Sequence, residues 1–291
     1  RGRHGAPAMD IPLMDILVTG VLLSGTYALI AIGLTLQYGV ARIMNLSYGE
    51  FLMTAAFGAF WFFTLYSIDP LLSMIVSVPL SFAANWIIYK VILTPLVRRA
   101  PSRDALEADT ILVTFGLLFV IQGTALLQWG GEYRGYTYLA IPVDILGATI
   151  AANRLLAFGV ACVIGVGAYL VLKYTRVGTA LRALAIDPVA AQLVGVNVPR
   201  LSGLAFASGG AMMAAAGVLV SMFLSFNPSV GVLYTLKALI VVIMGGVGSM
   251  IGSLAAGLLL GLAEGFGAWL VDPGLTLAIN FAIFLAILLL R

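Results

Sequence analysis

Thr175–Arg200, TRVGTALRALAIDPVAAQLVGVNVPR, is the longest interval between the apolar runs of this chain that still reads as ordered structure. Asp187 followed by Pro188 is a helix start, with a carboxylate cap and a proline in the first turn. Gly195 supplies a left-handed stop, and Pro199 forbids resumption. Between them VAAQLV is a helix of about two turns, roughly 10 Å long. Alone in water so short a helix is marginal. The membrane surface, the flanking spans or a partner protein must hold it. Lys173, Arg176, Arg182 and Arg200 flank it and mark one side of a membrane. The stretch reads as a docking helix on the cytoplasmic face; standing alone it would read as a surface turn between two spans.

The rest of the chain explains why a membrane is invoked. Its 291 residues are 62% hydrophobic and 9% charged, where a soluble domain carries about 25% charged residues. No water-soluble core hides so much apolar surface. Residues 1–8, RGRHGAPA, read as a tail or expression remnant, and 9–291 as a single transmembrane domain; no cleavable signal pattern precedes the first span. One cysteine, Cys162, and one histidine, His4, leave no intrachain disulfide and no metal-ligand cluster. The net charge of +3 does not point to nucleic acid, because the basic residues lie beside spans and set orientation.

Apolar runs occupy about 11–36, 51–66, 71–93, 110–129, 155–172, 201–224, 233–244, 251–270 and 275–290. Turns fall at Ser67–Pro70, Asn227–Pro228 and Asp272–Gly274. A polar, tyrosine-rich segment, GGEYRGYTYLAIPVDILGAT, follows Trp129 and suits a membrane–water boundary. The loops 90–103 and 173–200 carry four Lys/Arg each, eight of the chain's fifteen, which places both in the cytoplasm. Counting outward puts Arg42 inside and the N-terminus outside, with Arg1 and Arg3 a mild violation. Arg291 lies inside if 233–244 crosses; the C-terminus lies outside if that run only re-enters. The expected fold is all-α, with eight or nine transmembrane helices, broken or re-entrant segments and a short cytoplasmic helix.

Two interruptions stand out, Tyr38–Glu50 and Gly245–Ser249. Non-helical backbone at membrane depth is tolerated where it is buried in protein or lines a cavity. Glycine-interrupted segments in matching positions point to a transport path; the alternative is two tight turns at the membrane surface. Glu50, after Ser47 and Tyr48, could bond exposed backbone, pair with Arg42 or line a path, and the structural clamp is favoured. Lys237 reads as a snorkelling residue near the outer end of its run. Glu264 is a further charge within a span, where such groups face cavities or partners. Gln122, Thr114, Thr124 and Asn280 read as interhelical hydrogen-bond formers. Ser249, Ser253, Gly257, Gly261 and Gly265 recur at every fourth residue, one smooth ridge for a close helix; Gly209, Gly210, Ala214 and Gly217 make a second.

The chain holds no Ser/His/Asp set and no G-x-x-x-x-G-K-[ST] phosphate loop. ATP-driven work would therefore need a motor on another polypeptide, for which 175–200 is the docking candidate. A secondary transporter would want an ionisable relay, for which only Glu50 and Glu264 are available. An enzyme would want clustered polar residues on one face, and none shows.

Three blocks carry a family resemblance: ALIAIGLTLQYGVARIMNLSYGEF (Ala28–Phe51), TRVGTALRALAIDPVAAQLVGVNV (Thr175–Val198) and LKALIVVIMGGVGSMIGSLAAGLLLGLAE (Leu236–Glu264). In this order they resemble LivH-type permeases, the membrane subunits of branched-chain amino acid ABC importers, across essentially the whole chain after Met9. Tyr48 stands where the family usually has a histidine before Gly-Glu, and the family usually continues beyond Arg291 with a short tail. The resemblance implies a non-enzymatic permease subunit in a bacterial inner membrane. Its partners would be a second, LivM-like permease, two ATPase subunits and an extracytoplasmic binding protein, besides membrane lipid. It would hold no cofactor itself, with ATP and Mg on the ATPases. Arg182, Asp187, Pro188, Ala191, Gly195 and Arg200 would serve ATPase coupling. Tyr38, Asn45, Ser47, Tyr48, Glu50, Gly245, Gly246 and Gly248 would border the translocation path. The substrate would be a branched-chain or related hydrophobic amino acid, the alternatives being urea, short amides or aromatic acids, or an ion-coupled secondary transporter.

Overall fold

In the computed structural model, which describes residues 13–145, 147–270 and 275–290, the first apolar run is one long helix, α1 (Leu13–Ala41). The tail 1–8, the turn at Asp272–Gly274 and Arg291 lie outside the described residues. After a short break come α2 (Tyr48–Tyr66) and α3 (Pro70–Ile88), which continues through a π-helical turn at Tyr89–Leu93 into α4 (Thr94–Arg99). Then follow α5 (Arg103–Trp129), a hairpin of β1 (Pro142–Ile145) and β2 (Ala148–Ala151), and α6 (Ala152–Tyr174). Next are α7 (Arg176–Ile186), α8 (Pro188–Leu193) and α9 (Val198–Ser221), and last α10 (Val230–Gly245), α11 (Met250–Leu270) and α12 (Thr276–Leu290). The all-helical expectation holds apart from the hairpin, which sits in the polar segment after Trp129. Among the described residues six helices, counting α3 to α4 as one, are long and apolar enough to cross a membrane, and α10 and α12 are shorter apolar helices.

Local chemistry sets the ends. Asp69, Ser102, Thr175, Asp187 and Asn197 each accept a backbone N–H in the first turn that follows them, satisfying donors a helix start leaves open. Two expectations change here. Pro199 does not block a helix: it stands in the first turn of α9, where a missing N–H costs nothing. Residues 176–186 form a helix of their own, because Leu181 and Leu184 bury against Leu36, Val40, Leu172 and Ala205.

α1 and α9 are the axis of the fold. Of their most apolar windows, 67% and 83% are buried, against 17–22% for α3–α4, α5 and α6, whose leucines and valines face outward as lipid-facing side chains do. The two small-residue ridges are intrachain contacts. A Cβ added at Gly261 would lie 2.6 Å from the Gly20 carbonyl oxygen and one at Gly257 2.9 Å from the Ala28 nitrogen, so α11 lies backbone to backbone on α1. Thr35 and Ser253 close that seam with a 2.7 Å hydroxyl contact. On α9, Gly209 abuts α1 at Gly33 and Gln37, Gly210 abuts Asn85 of α3, and Gly217 abuts Leu52 of α2.

Candidate functional site

The first interruption is a buried polar knot. α1 ends where Arg42 takes a left-handed φ of 54°. Buried Gln37 donates Nε2 to the Phe206 carbonyl (2.7 Å) and accepts from Asn45 Nδ2 (3.2 Å). Asn45 Oδ1 in turn accepts from the Ser47 amide (3.1 Å) and hydroxyl (2.7 Å), a side-chain turn that replaces helix bonds. Thr114 of α5 accepts from the Leu46 amide at 3.1 Å, the cross-helix bond expected of it. The Tyr48 hydroxyl donates to the Ile30 carbonyl (2.9 Å), tying α2 to α1. The Gly49 amide donates to Thr235 Oγ1 of α10 (2.7 Å), and any Cβ at Gly49 would collide with the Gly231 carbonyl.

Glu50 breaks the pattern. Its side chain is fully buried against Gly231, and among the described residues neither carboxylate oxygen has a hydrogen-bond partner. The expected clamp or Arg42 pair does not form. Arg42 Nη2 instead donates to the Ala185 carbonyl at the end of α7 (2.9 Å), because its left-handed backbone turns the side chain toward that helix.

The second interruption meets the first through the last turn of α1. Gly246 (φ 87°) and Gly248 (φ 84°) use backbone that disfavours a side chain. Gly248 packs on Gly39 so closely that a Cβ there would sit 3.2 Å from its Cα, and Ser249 Oγ accepts from the Gly252 amide to start α11.

Lys237 does not snorkel. Midway along α10, its Nζ lies 2.8 Å from Glu264 Oε1 and 2.8 Å from the Tyr27 hydroxyl, and stacks over the rings of Tyr27 and Tyr234. Tyr27 also donates to Glu264 Oε2 at 2.5 Å. The pattern in the sequence pointed to no such trio, although two opposite charges in neighbouring spans were the available signal. Of the other polar residues expected to bridge helices, Gln122 reaches Ser229 at 3.2 Å. Among the described residues, Thr124 bonds only its own helix, at Ile121, and buried Asn280 has no hydrogen-bond partner for either amide atom.

At the far end of α6, the loop between spans is a pair of short helices. Asp187 Oδ1 accepts from the Val189 amide (2.9 Å) and the Ala190 amide (3.1 Å), and Gly195 takes φ 85° past the end of α8, as its sequence predicts. Within α8 only Ala191 is buried; Ile186, Val189, Leu193 and Val194 around it are 65–83% exposed. Those side chains were not among the expected site residues.

A family profile described as the permease component of the branched-chain amino acid transport system matches residues 16–288. The chain belongs to that family. Among its relatives, the high-affinity branched-chain amino acid transport permease BraD of Pseudomonas aeruginosa is 31% identical over 285 residues, covering 94% of this chain and 92% of BraD. LivH of Escherichia coli K12, likewise named a high-affinity branched-chain amino acid transport permease, is 28% identical over 93% of this chain and 91% of its own. A probable LivH permease of Methanocaldococcus jannaschii is 27% identical over 88% and 81%. No solved structure matches the chain significantly.

In this permease the expected site residues fall into separate groups. Arg182, Asp187 and Gly195 are exposed on the α7–α8 element, Arg200 is exposed in the first turn of α9, Pro188 is half-buried and Ala191 faces inward. Arg182 donates to the Lys173 carbonyl at the end of α6 (3.3 Å). Asn45, Ser47, Tyr48 and Glu50 lie together, buried in the first break; beside it Tyr38, Gly245 and Gly246 are partly exposed and Gly248 is exposed.

Proposed function

We propose that this permease is one of two membrane subunits of an ATP-driven importer in a bacterial inner membrane, and that it passes branched-chain or related hydrophobic amino acids inward. The observation that carries the motor half of this is the bare apolar face of α8. A six-residue helix with Val189, Leu193 and Val194 in the open, on the side marked by the basic loops, is a surface built to be covered. A groove in an ATPase subunit is the occupant this family implies. A second permease subunit, a second ATPase and an extracytoplasmic binding protein complete the assembly.

The mechanics follow from attachments already described. α7 is packed into the core through Leu181 and Leu184, and Arg42 bonds Ala185, two residues before the α8 cap. A push on α8 therefore reaches the break between α1 and α2 directly. That break is held by hydrogen bonds and close glycine contacts rather than by a continuous helix, as a hinge requires. Tyr38–Glu50 and Gly245–Gly248 are the segments proposed to border the path as it opens. Nine crossings fit this arrangement. α10, about 24 Å long, starts at the outer loop and reaches the cytoplasmic end of α1, where Gly248 meets Gly39.

The test is assembly. Co-expressed with a second permease and two ATPase subunits, this chain is expected to retain both ATPases on purification, and Leu193→Glu with Val189→Glu to lose them while still inserting. Full retention of the ATPases by that variant would overturn the docking assignment.

A further inference from the structure

At the end of the bundle away from the basic loops, a cavity of about 690 Å³ opens between the first turns of α1 and α6 and the last turns of α11. That volume suits a small ligand. Much of its wall is apolar, Leu23, Phe223 and Trp269 included, and three charged side chains share it: Asp15, Arg154 and Glu264. Glu264 is already committed to Lys237 and Tyr27. Asp15 accepts the Thr149 amide on Oδ1 (3.1 Å), which leaves Oδ2 available. Arg154 is half-buried and, among the described residues, forms no hydrogen bond or ion pair. It also stands in the first turn of α6, where the helix dipole disfavours a cation. Neither helix stability nor a partner among the described residues accounts for a guanidinium there. A ligand carboxylate would, through two parallel N–H···O bonds.

We infer that this cavity binds a free α-amino acid with an apolar side chain, its carboxylate on Arg154, its ammonium at Asp15 and its side chain against Leu23, Phe223 and Trp269. The inference rests on the importer reading and gives the substrate a station within this chain. Both signs of charge beside one apolar wall are what a zwitterion with an alkyl side chain needs. A fatty acid or a lipid phosphate would engage Arg154 and leave Asp15 idle.

The experiment is ligand protection of an introduced thiol. The full chain carrying Cys162→Ser and Thr19→Cys, with Thr19 on the cavity wall, is placed in liposomes and labelled with a membrane-impermeant maleimide. Leucine is expected to slow labelling. Leucinamide, which lacks the carboxylate, and 4-methylpentanoate, which lacks the ammonium, are expected to leave it unchanged at the same concentration. Arg154→Gln should label at the wild-type rate without ligand, showing an intact cavity, and need at least about tenfold more leucine for half-protection, the loss expected for one charge-assisted pair. Arg154→Lys should recover part of that loss. Ala268→Cys, on the same cavity, serves if Thr19→Cys disturbs folding. Equal protection by leucinamide, protection by 4-methylpentanoate alone, or half-protection of Arg154→Gln at the same leucine concentration as its parent overturns the site. ATP-driven leucine uptake by the wild-type assembly is measured alongside. Its absence overturns the importer reading itself, whereas uptake without leucine-specific protection overturns only this site.

Discussion

Replacing Lys237 by methionine strips the Glu264 carboxylate of its cation inside the bundle. The two side chains are 13% and 16% exposed and meet at 2.8 Å. At an effective dielectric of about 20, two unit charges at that distance attract by roughly 6 kcal/mol, and desolvation of both ions offsets much of it. The single variant nevertheless loses the whole attraction and leaves a half-buried Glu264 on the cavity wall, with the Tyr27 hydroxyl as its remaining hydrogen-bond partner among the described residues. Breaking such a pair costs about 3 kcal/mol or more. At about 2–4 °C per kcal/mol for chains of this order of size, the unfolding midpoint should fall by roughly 6–12 °C. The double variant, Lys237→Met with Glu264→Gln, removes both charges and should recover more than half of that loss. The assay is thermal unfolding in detergent followed by tryptophan fluorescence, on all four members of the cycle. A single variant within about 1 °C of wild type, or a double variant as low as the sum of the singles, would refute the buried pair.

Four further outcomes follow from the packing. Gly261→Ala, whose methyl would press on the Gly20 and Ser24 backbone, should cost about 1–3 kcal/mol. Gly123→Ala, in the interior of α5 with nothing within 4 Å, should instead raise the unfolding midpoint slightly, by the roughly 0.5–1 kcal/mol that alanine gains over glycine in a helix. Asp187→Ala should remove about 1 kcal/mol from α8 alone. Hydrogen exchange at the Val189 and Ala190 amides would then speed up roughly fivefold, with the global midpoint unmoved. Tyr136, in the loop between α5 and β1, is pushed up to about 12 by burial, with its hydroxyl 2.9 Å from Ser221 Oγ. A raised value means stability that is complete below the ordinary tyrosine range near 10 and is lost as pH climbs toward 12. Tyr136→Phe should flatten that alkaline decline in a pH series of unfolding midpoints, and an unchanged decline would show that Tyr136 is not its source.

What the sequence disclosed is what local chemistry encodes. Asp187-Pro188 and Gly195 bracket α8 because a cap, a first-turn proline and a left-handed glycine act within one turn. The four-residue spacing of Ser253, Gly257 and Gly261 announced a close helix, since a ridge is a property of one helix alone. That the close helix is α1 was not legible, because nothing in the ridge names its partner. The same limit hid the Lys237–Glu264–Tyr27 trio, whose members lie 27 and 210 residues from Lys237. Arg42 and Glu50 stood near enough in sequence to invite pairing. A single left-handed residue at 42 sends the guanidinium to Ala185 instead. Pro199 was read as a stop because proline breaks helix interiors, yet Asn197 caps a new helix just ahead of it. The exposed face of α8 became visible only once Ala191 was seen to take the inward position.

The most direct measurement is uptake of labelled leucine into proteoliposomes holding this permease, a second permease, two ATPase subunits and the binding protein. The wild-type assembly is expected to accumulate leucine only with ATP. Leu193→Glu with Val189→Glu is expected to abolish uptake and to free the ATPases, while the chain remains inserted. Leucine accumulating without ATP, or at the wild-type rate in that variant, would contradict the account.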